Sequence, residues 1–258
     1  MHNLVRAEFF KLKKSFTYKL IVCAYLLYEI WYNRNEVSNG ILYTGISYTG
    51  IEWFYRMPAE ASYIRFMWFF VAIVVAGDYA NRTYAESFLC GYPRKKVFGV
   101  KIIIFFIEMV PIMLIHIMVG TVIWTMHYGF GEEVNADTIM IIVKALLYCI
   151  FSLAVFGSTY ILFSVFAKNT IGAIGLSFGI TQMIGILLGN LSGIIENPVL
   201  RKPFEFMVRF SILTQLGELK GGTKVIHVPF WQTVFSSVIV TLLMIFLAIH
   251  TFDRQDMK

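Results

Sequence analysis

The sequence predicts an all-α, polytopic membrane protein with six transmembrane helices, and its composition and its apolar runs lead to that prediction. Of the 258 residues, 58% are hydrophobic and only 15% are charged, and the mean hydropathy is +0.69. A water-soluble domain of that composition would expose large apolar patches. Several apolar runs approach or exceed the roughly 20 residues that a helix needs to cross a bilayer core, where a helix satisfies its own backbone hydrogen bonds.

The first element is a basic, amphipathic segment. Four apolar residues recur there at helical spacing, namely Val5, Phe9, Leu12 and Phe16. The basic residues fall elsewhere around the helix, which is typical of a helix that lies on a membrane surface. We therefore expect residues 1–17 to form a cytoplasmic interfacial helix. A signal peptide is the poorer interpretation, because no small-residue cleavage site follows and further apolar runs do.

Six apolar runs are predicted to cross the membrane. They are Tyr18–Tyr32, Ser62–Ala80, Val97–Met126, Thr138–Ala167, Thr170–Asn190 and Pro229–His250. The first run is short and contains Glu29, a charged residue in an apolar setting. No soluble domain of useful size remains outside these runs, so residues 1–258 are predicted to form a single transmembrane domain.

The orientation of the chain follows from its basic residues, which collect in cytoplasmic loops. Two clusters lie in the amino-terminal segment and in residues 77–101: Arg6, Lys11, Lys13, Lys14 and Lys19, and then Arg82, Arg94, Lys95, Lys96 and Lys101. The loop from His127 to Asp137 has no lysine or arginine. Both ends of the chain are therefore predicted to be cytoplasmic.

Residues 191–228 are external in this topology, although they mix basic residues with apolar runs. Basic side chains beside an apolar face can reach lipid headgroups. We expect a short helix that lies at, or re-enters, the outer interface. An ordinary long loop is the alternative.

Two ionisable residues fall deep within the third predicted span, Glu108 and His116. A charge at mid-bilayer costs about 2.5 kcal/mol or more, so each residue needs a partner, water or protonation. Together with Glu29, they are candidates for lining a substrate pathway. The alternative is a neutral, hydrogen-bonded contact between helices.

The fifth predicted span is rich in glycine. Gly175 and Gly179 are four residues apart, as are Gly185 and Gly189. Such pairs allow helix backbones to approach closely. The alternatives are packing within one subunit and packing near a dimer seam or a pathway.

The residues needed for several other chemistries are missing from the sequence. The five histidines form no HExxH-type zinc motif, and neither a Gly-x-Ser-x-Gly elbow nor a Gly-x-x-x-x-Gly-Lys-Ser/Thr nucleotide loop is present. Cys23, Cys90 and Cys149 are too scattered for a disulfide framework or a metal site. An intramembrane enzyme is therefore the weaker rival class. The net charge of +6 is attributed to the cytoplasmic loops rather than to nucleic-acid binding.

A polar, basic island between the second and third spans is the most informative stretch. It reads GDYANRTYAESFLCGYPRKKVFGVK over residues 77–101. We expect a short helix from about Arg82 to Leu89, ended by Gly91 in a left-handed conformation and by Pro93 beyond it. In a chain without a nucleotide site, this helix offers a docking surface for a partner that supplies energy.

Over its whole length the chain resembles the membrane subunit of a type-2 ABC exporter, the permease family that includes lantibiotic and bacteriocin immunity transporters and small peptide or multidrug exporters. The most specific residues are in the island: Asp78, Asn81-Arg82-Thr83, Gly91-Tyr92-Pro93-Arg94 and Lys101. Family members often carry an acidic residue, Asn-Gly-Thr, Gly-x-x-Arg after a short helix, and a lysine that opens the third span. Here Arg82 replaces the usual glycine, and Pro93 stands where serine is common.

The resemblance implies a non-catalytic permease that pairs with a second permease copy or relative and with two ATP-binding subunits. ATP and Mg would reside on those partners, with no cofactor in this chain. Residues 81–96 would contain the coupling helix, which docks on the ATPase through Arg82, Thr83, Tyr84, Glu86, Ser87, Phe88, Leu89, Gly91 and Arg94. The substrate would be amphipathic or hydrophobic, and a peptide is favoured over a drug or a lipid.

Overall fold

The computed structural model describes residues 2–43, 48–54, 62–81, 83–131, 135–194 and 230–255. Their regular structure is helical, as the sequence predicts, with no strand in these ranges. The helices are α1 (His2–Lys14), α2 (Phe16–Tyr43), α3 (Ser62–Val71), α4 (Gly77–Ala80), α5 (Thr83–Leu89), α6 (Arg94–Tyr128), α7 (Ala136–Ala167), α8 (Thr170–Ile194) and α9 (Phe230–Arg254). A π-helical turn, Ala72–Ala76, joins α3 to α4.

Every predicted transmembrane run coincides with helical structure, and α2 differs most from its prediction. The predicted run ends at Tyr32, where polar residues begin, whereas α2 continues to Tyr43. The Asn33 side chain donates a hydrogen bond to the Glu29 backbone carbonyl at 2.9 Å, and Val37 one turn later is buried. Internal hydrogen bonding and continued packing therefore carry the helix through a stretch whose composition alone predicts an end.

Three helices are long and apolar enough to cross a bilayer: α6, α7 from Thr138 onward, and α9. A fourth follows if Tyr63–Tyr79 and Thr83–Leu89, which are bent by 53° at their junction, form one broken span. Thr170–Met183 of α8 is a shorter apolar helix. The described residues thus contain three or four candidate spans, as in a membrane-embedded protein, and the count of six stays a prediction.

The predicted amphipathic helix is present, but it ends earlier than residue 17. α1 stops at Lys14, and the Ser15 side chain accepts a hydrogen bond from the Tyr18 backbone N–H at 3.2 Å. Because Ser15 caps a new helix, Phe16 belongs to α2 and is 77% exposed. The expectation that Phe16 shares the apolar face of α1 is wrong. Leu12 on that face is buried.

The core lies where α6 and α7 pack against α3, the π-helical turn and α9. α2 packs along α6, and α8 packs along α7. Large aromatic side chains fill this core, including the buried Tyr63, Phe70, Phe98 and Phe105. Residues 191–194 end α8, and the rest of the predicted external segment lies outside the described residues.

The two ends of the bundle differ in their chemistry. α1, α4, α5 and the last turn of α9 meet at one end, here named the island end. At the other end, here named the aromatic end, the indole rings of Trp53 and Trp124 stack with their centroids 5.4 Å apart. Tyr48 and Tyr128 pack beside them. Helix α6 connects the two ends, because it begins next to the island and finishes among these rings.

Candidate functional site

A buried ionic cluster joins three helices at the island end. The Lys101 ammonium on α6 contacts the carboxylates of both Glu8 on α1 and Asp78 on α4. Asp78 also accepts a hydrogen bond from the Lys11 ammonium of α1. The side chains of Lys101 and Asp78 are each 2% exposed. Two ammonium groups and two carboxylates compensate one another, as the burial of charge requires.

The family resemblance singles out Asp78 and Lys101, which lie near the two ends of the island, and the structure brings them together. It does not single out Glu8. This residue lies on the buried face of α1 between Leu4 and Leu12, where an amphipathic pattern predicts an apolar side chain. The sequence did contain a signal for Glu8: a carboxylate on the apolar face of a basic helix needs a cationic partner, so its presence there predicts an ion pair.

The π-helical turn sets the direction of Asp78. A π turn holds one residue more than an α turn, and each residue rotates a helix by about 100°. The side chains after Ala72–Ala76 are therefore turned by about that angle relative to an uninterrupted α-helix. In this orientation Asp78 meets both α1 and α6. The AIVVA sequence of the turn carries no signal that predicts it.

The short helix predicted in the island is present as α5, Thr83–Leu89. Gly91 follows it with a φ of 84°, the left-handed conformation that the sequence predicts. The Gly91 N–H donates to the Phe88 carbonyl at 2.9 Å, and the Tyr92 N–H donates to the Ser87 carbonyl at 3.3 Å. These paired bonds are the usual termination of a helix by glycine. Local sequence therefore determines where α5 ends.

Tyr84 anchors α5 to the bundle. Its side chain is 2% exposed, and its hydroxyl donates a hydrogen bond to the Val75 carbonyl in the π-helical turn at 3.1 Å. The ring lies edge-on to Phe252 of α9, with centroids 5.0 Å apart. Burial, and then the nearby Asp78 carboxylate, raise the pKa of the Tyr84 phenol well above its usual value, so the hydroxyl remains a donor. Tyr84 therefore binds its own chain.

The last turn of α9 is held against the same region. The Arg94 guanidinium donates hydrogen bonds to the backbone carbonyls of Asp253 at 3.2 Å and Gln255 at 2.8 Å. It also lies over the Phe88 ring, 5.4 Å from the centroid. A cation at the carboxyl end of a helix satisfies carbonyls that have no partner within the helix. The island helix, the start of α6 and the end of α9 thus form one packed unit.

The predicted docking residues differ in how far they are exposed. Glu86, Leu89 and Gly91 are exposed, and Leu89 is 88% exposed. Thr83, Ser87, Phe88 and Arg94 are half-buried, Tyr84 is buried, and Arg82 lies outside the described residues. An exposed leucine next to a carboxylate, on a helix whose other face is packed, is a surface that a partner can cover.

The deeply placed ionisable residues have hydrogen-bonding partners on other helices. His116 Nδ1 of α6 lies 3.0 Å from Glu29 Oε2 of α2, and both side chains are fully buried. The Asn33 amide donates to the same Glu29 oxygen at 3.3 Å. Glu108 accepts a hydrogen bond from the Tyr18 hydroxyl. The structure contains the predicted helix contacts, and a pathway lined by Glu29, Glu108 and His116 stays a prediction.

The glycine-rich span is α8. A Cβ atom added at Gly175 or Gly179 would meet nothing within 4 Å. The described part of the chain therefore does not pack against these two positions. Gly185 and Gly189 lie in a part of α8 whose side-chain surroundings are outside the described structure. A packing role for the four glycines stays a prediction. At Gly175 and Gly179, such packing requires a partner beyond the described residues.

Comparisons with known proteins assign no family to this chain. No protein-family model matches the sequence, and no curated protein matches it. Among the described residues, no group of three or more His, Cys, Asp or Glu side chains could hold a metal ion. The functional interpretation therefore depends on the geometry of the island end.

Proposed function

We propose that this chain is the membrane-spanning subunit of an ATP-binding-cassette exporter in the bacterial cytoplasmic membrane. It binds two ATP-hydrolysing subunits and a second permease copy or relative, and it moves an amphipathic or hydrophobic substrate out of the cell. An antimicrobial or other peptide is the favoured substrate, with a drug or a lipid as the alternative in the same family. The observation that carries the proposal is α5, a short helix with one anchored face and one exposed face.

A helix that receives force from a partner must be fixed to its own bundle while it presents a free surface. Tyr84 fixes α5 through a buried hydrogen bond and ring contacts. Glu86 and Leu89 form the exposed surface, with one charge for orientation and one apolar side chain for burial. The seven residues of α5 suit a cleft in a partner rather than an extended interface.

Contacts from the island lead to four parts of the bundle. Tyr84 reaches the π-helical turn after α3, and Arg94 reaches the end of α9. Asp78, just before α5, reaches α1 and α6 through Lys11 and Lys101. A displacement of α5 by a nucleotide-driven partner would act on all of these elements at once, which is how a local event can bias two arrangements of a bundle.

The proposed orientation places the island end in the cytoplasm, where the ATP-hydrolysing subunits are. Nine of the 22 lysines and arginines lie in α1 and the island, whereas residues 127–137 have none, and basic residues are retained on the cytoplasmic side. Because α1 and the island lie at the same end of the bundle, the retention of basic residues in the cytoplasm gives both the same side. The aromatic end is then external.

Co-purification tests the docking surface. A tagged full-length chain, expressed in its native cells and purified in mild detergent, should bring down a protein with a Gly-x-x-x-x-Gly-Lys-Ser/Thr loop, identified by mass spectrometry. The double variant Glu86→Ala with Leu89→Ala should reduce that recovery at least tenfold, because it removes both the charge and the apolar contact.

The control is Lys96→Ala, which removes an exposed charge at the same end but outside α5. It should retain recovery at the level of the unmodified chain. Phe88 is unsuitable for this test, because it packs against Tyr84 and Arg94 within the chain. Failure to recover such a protein, or equal recovery with the double variant, would refute the proposal.

A further inference from the structure

An apolar groove runs between α2 and α6 toward the aromatic end. Its volume is about 460 Å³, and its walls include Ile30 of α2 and Met118, Val122 and Met126 of α6. The three α6 residues are each more than 50% exposed. They extend over about 12 Å of helix at 1.5 Å per residue. The groove therefore offers an apolar surface that the described part of the chain leaves open.

Toward the aromatic end the groove carries one cation, the Arg34 guanidinium. Arg34 of α2 and His127 of α6 line it there. The Arg34 side chain is exposed, and no carboxylate in the described part of the chain pairs with its guanidinium. A guanidinium without a carboxylate partner, next to an apolar surface, is complementary to a phosphate with an attached hydrocarbon chain.

The aromatic end places Arg34 near headgroup depth. Trp53 and Trp124 stack there, and the Tyr128 hydroxyl donates a hydrogen bond to the Val37 carbonyl, one turn beyond Arg34. Tryptophan and tyrosine concentrate at the boundary between hydrocarbon and water in membrane proteins. Ile30 and Met118, on the bilayer side of Arg34, would then lie at acyl-chain depth, with the arginine near the phosphate.

We propose that this groove binds an anionic phospholipid, with an acyl chain against Ile30 and Met118 and the headgroup phosphate on Arg34. The site is separate from α5, which lies at the other end of α6. It requires only that the chain is embedded in a bilayer, so it stands whether or not an ATP-hydrolysing partner binds. The groove distinguishes lipids by headgroup charge, because its walls would accept the acyl chain of any phospholipid.

Native mass spectrometry of the purified full-length chain tests the site. The chain, in detergent, is mixed with phosphatidylglycerol or with phosphatidylcholine of the same acyl chains, and the lipids retained on each molecule are counted. One phosphatidylglycerol should be retained in preference to phosphatidylcholine. Arg34→Gln should lower that retention about fivefold, because it removes one cation from headgroup depth. Val122→Trp, which fills the groove, should lower it as well.

The matched control is Arg65→Gln. Arg65 is exposed, lies over the Tyr32 ring at 5.9 Å from its centroid, and does not line the groove. The Arg65→Gln variant should retain phosphatidylglycerol as well as the unmodified chain does. Equal losses in both arginine variants would mean that any cation attracts anionic lipid, and they would overturn the site. Equal retention of the two lipids would also overturn it. So would efficient disulfide cross-linking of two Val122→Cys chains in membranes, because a second copy would then occupy the groove.

Discussion

At the scale of single residues, Lys101 illustrates how this chain buries charge. Its ammonium lies between the carboxylates of Glu8 and Asp78, and Lys11 adds a second cation to Asp78. Removing one member of such a buried group leaves another charge without compensation, which costs more than the intact group contributes. The cluster also joins α1, α4 and α6, so its loss would loosen the end of the bundle that carries α5.

Asp78→Asn should therefore lower the stability of the purified protein by about 3 kcal/mol, visible as a lower midpoint of thermal unfolding in detergent. The matched control is Lys95→Ala, which breaks the pair between Lys95 and Asp253 at 3.4 Å, with side chains 69% and 38% exposed. That pair should contribute less than about 1 kcal/mol. Equal midpoints for Asp78→Asn and Lys95→Ala would contradict this account.

At the scale of elements, Gly120 is the point of close contact between α6 and the segment that contains Trp53. A Cβ atom at Gly120 would clash with the Trp53 indole nitrogen and would lie 3.1 Å from the Asn33 side-chain oxygen. Neither neighbour is the free end of a flexible chain, because Trp53 is buried in a stack with Trp124 and Asn33 is hydrogen-bonded to Glu29. The absence of a side chain at Gly120 therefore sets the distance between α6 and its neighbours.

Gly120→Ala should destabilise the protein by about 1–3 kcal/mol, the usual cost of an added methyl group in a packed site. Displacement of Trp53 should also change the tryptophan fluorescence spectrum. Gly175→Ala is the control on α8, where an added Cβ meets nothing within 4 Å, and it should leave both measurements unchanged. A Gly120→Ala protein that behaves like the Gly175→Ala protein would show that the α6 contact is looser than described.

At the scale of the whole molecule, the meeting of α1, α5 and the end of α9 means that these elements share one side of any membrane that the bundle crosses. The proposed orientation, which rests on the basic residues, puts that side in the cytoplasm. Cys90, which follows α5, is exposed, whereas Cys149 is buried in the core. The chain thus carries its own topology probe at the island end.

In intact cells, a membrane-impermeant thiol reagent should leave Cys90 unlabelled until the membrane is permeabilised. The measurement uses a Cys23→Ser background, because Cys23 is also exposed. In the same background, Asp137→Cys at the start of α7 should react from outside without permeabilisation. Labelling of Cys90 in intact cells, or protection of the cysteine at position 137, would reverse the proposed orientation.

Periodicity and composition alone located the predicted helices that fall among the described residues, because the length of an apolar run and its need for internal hydrogen bonds are local properties. The end of α5 was predictable for the same reason, since Gly91 acts within one turn of the helix that it ends. The extension of α2 beyond Tyr32 was missed because burial of Val37 depends on packing that composition does not record.

What the sequence by itself determined is the helical, bilayer-compatible architecture, the island helix and the candidate residues within it, since each follows from neighbours along the chain. Only the tertiary structure decided that Tyr84 is an anchor and that Lys101 joins Glu8 over a separation of 93 residues. Only it decided that Arg34 lines an apolar groove. The physical reason is that hydrogen bonds, ion pairs and grooves between helices depend on their relative rotation and register, which in turn depend on the packing of the whole bundle.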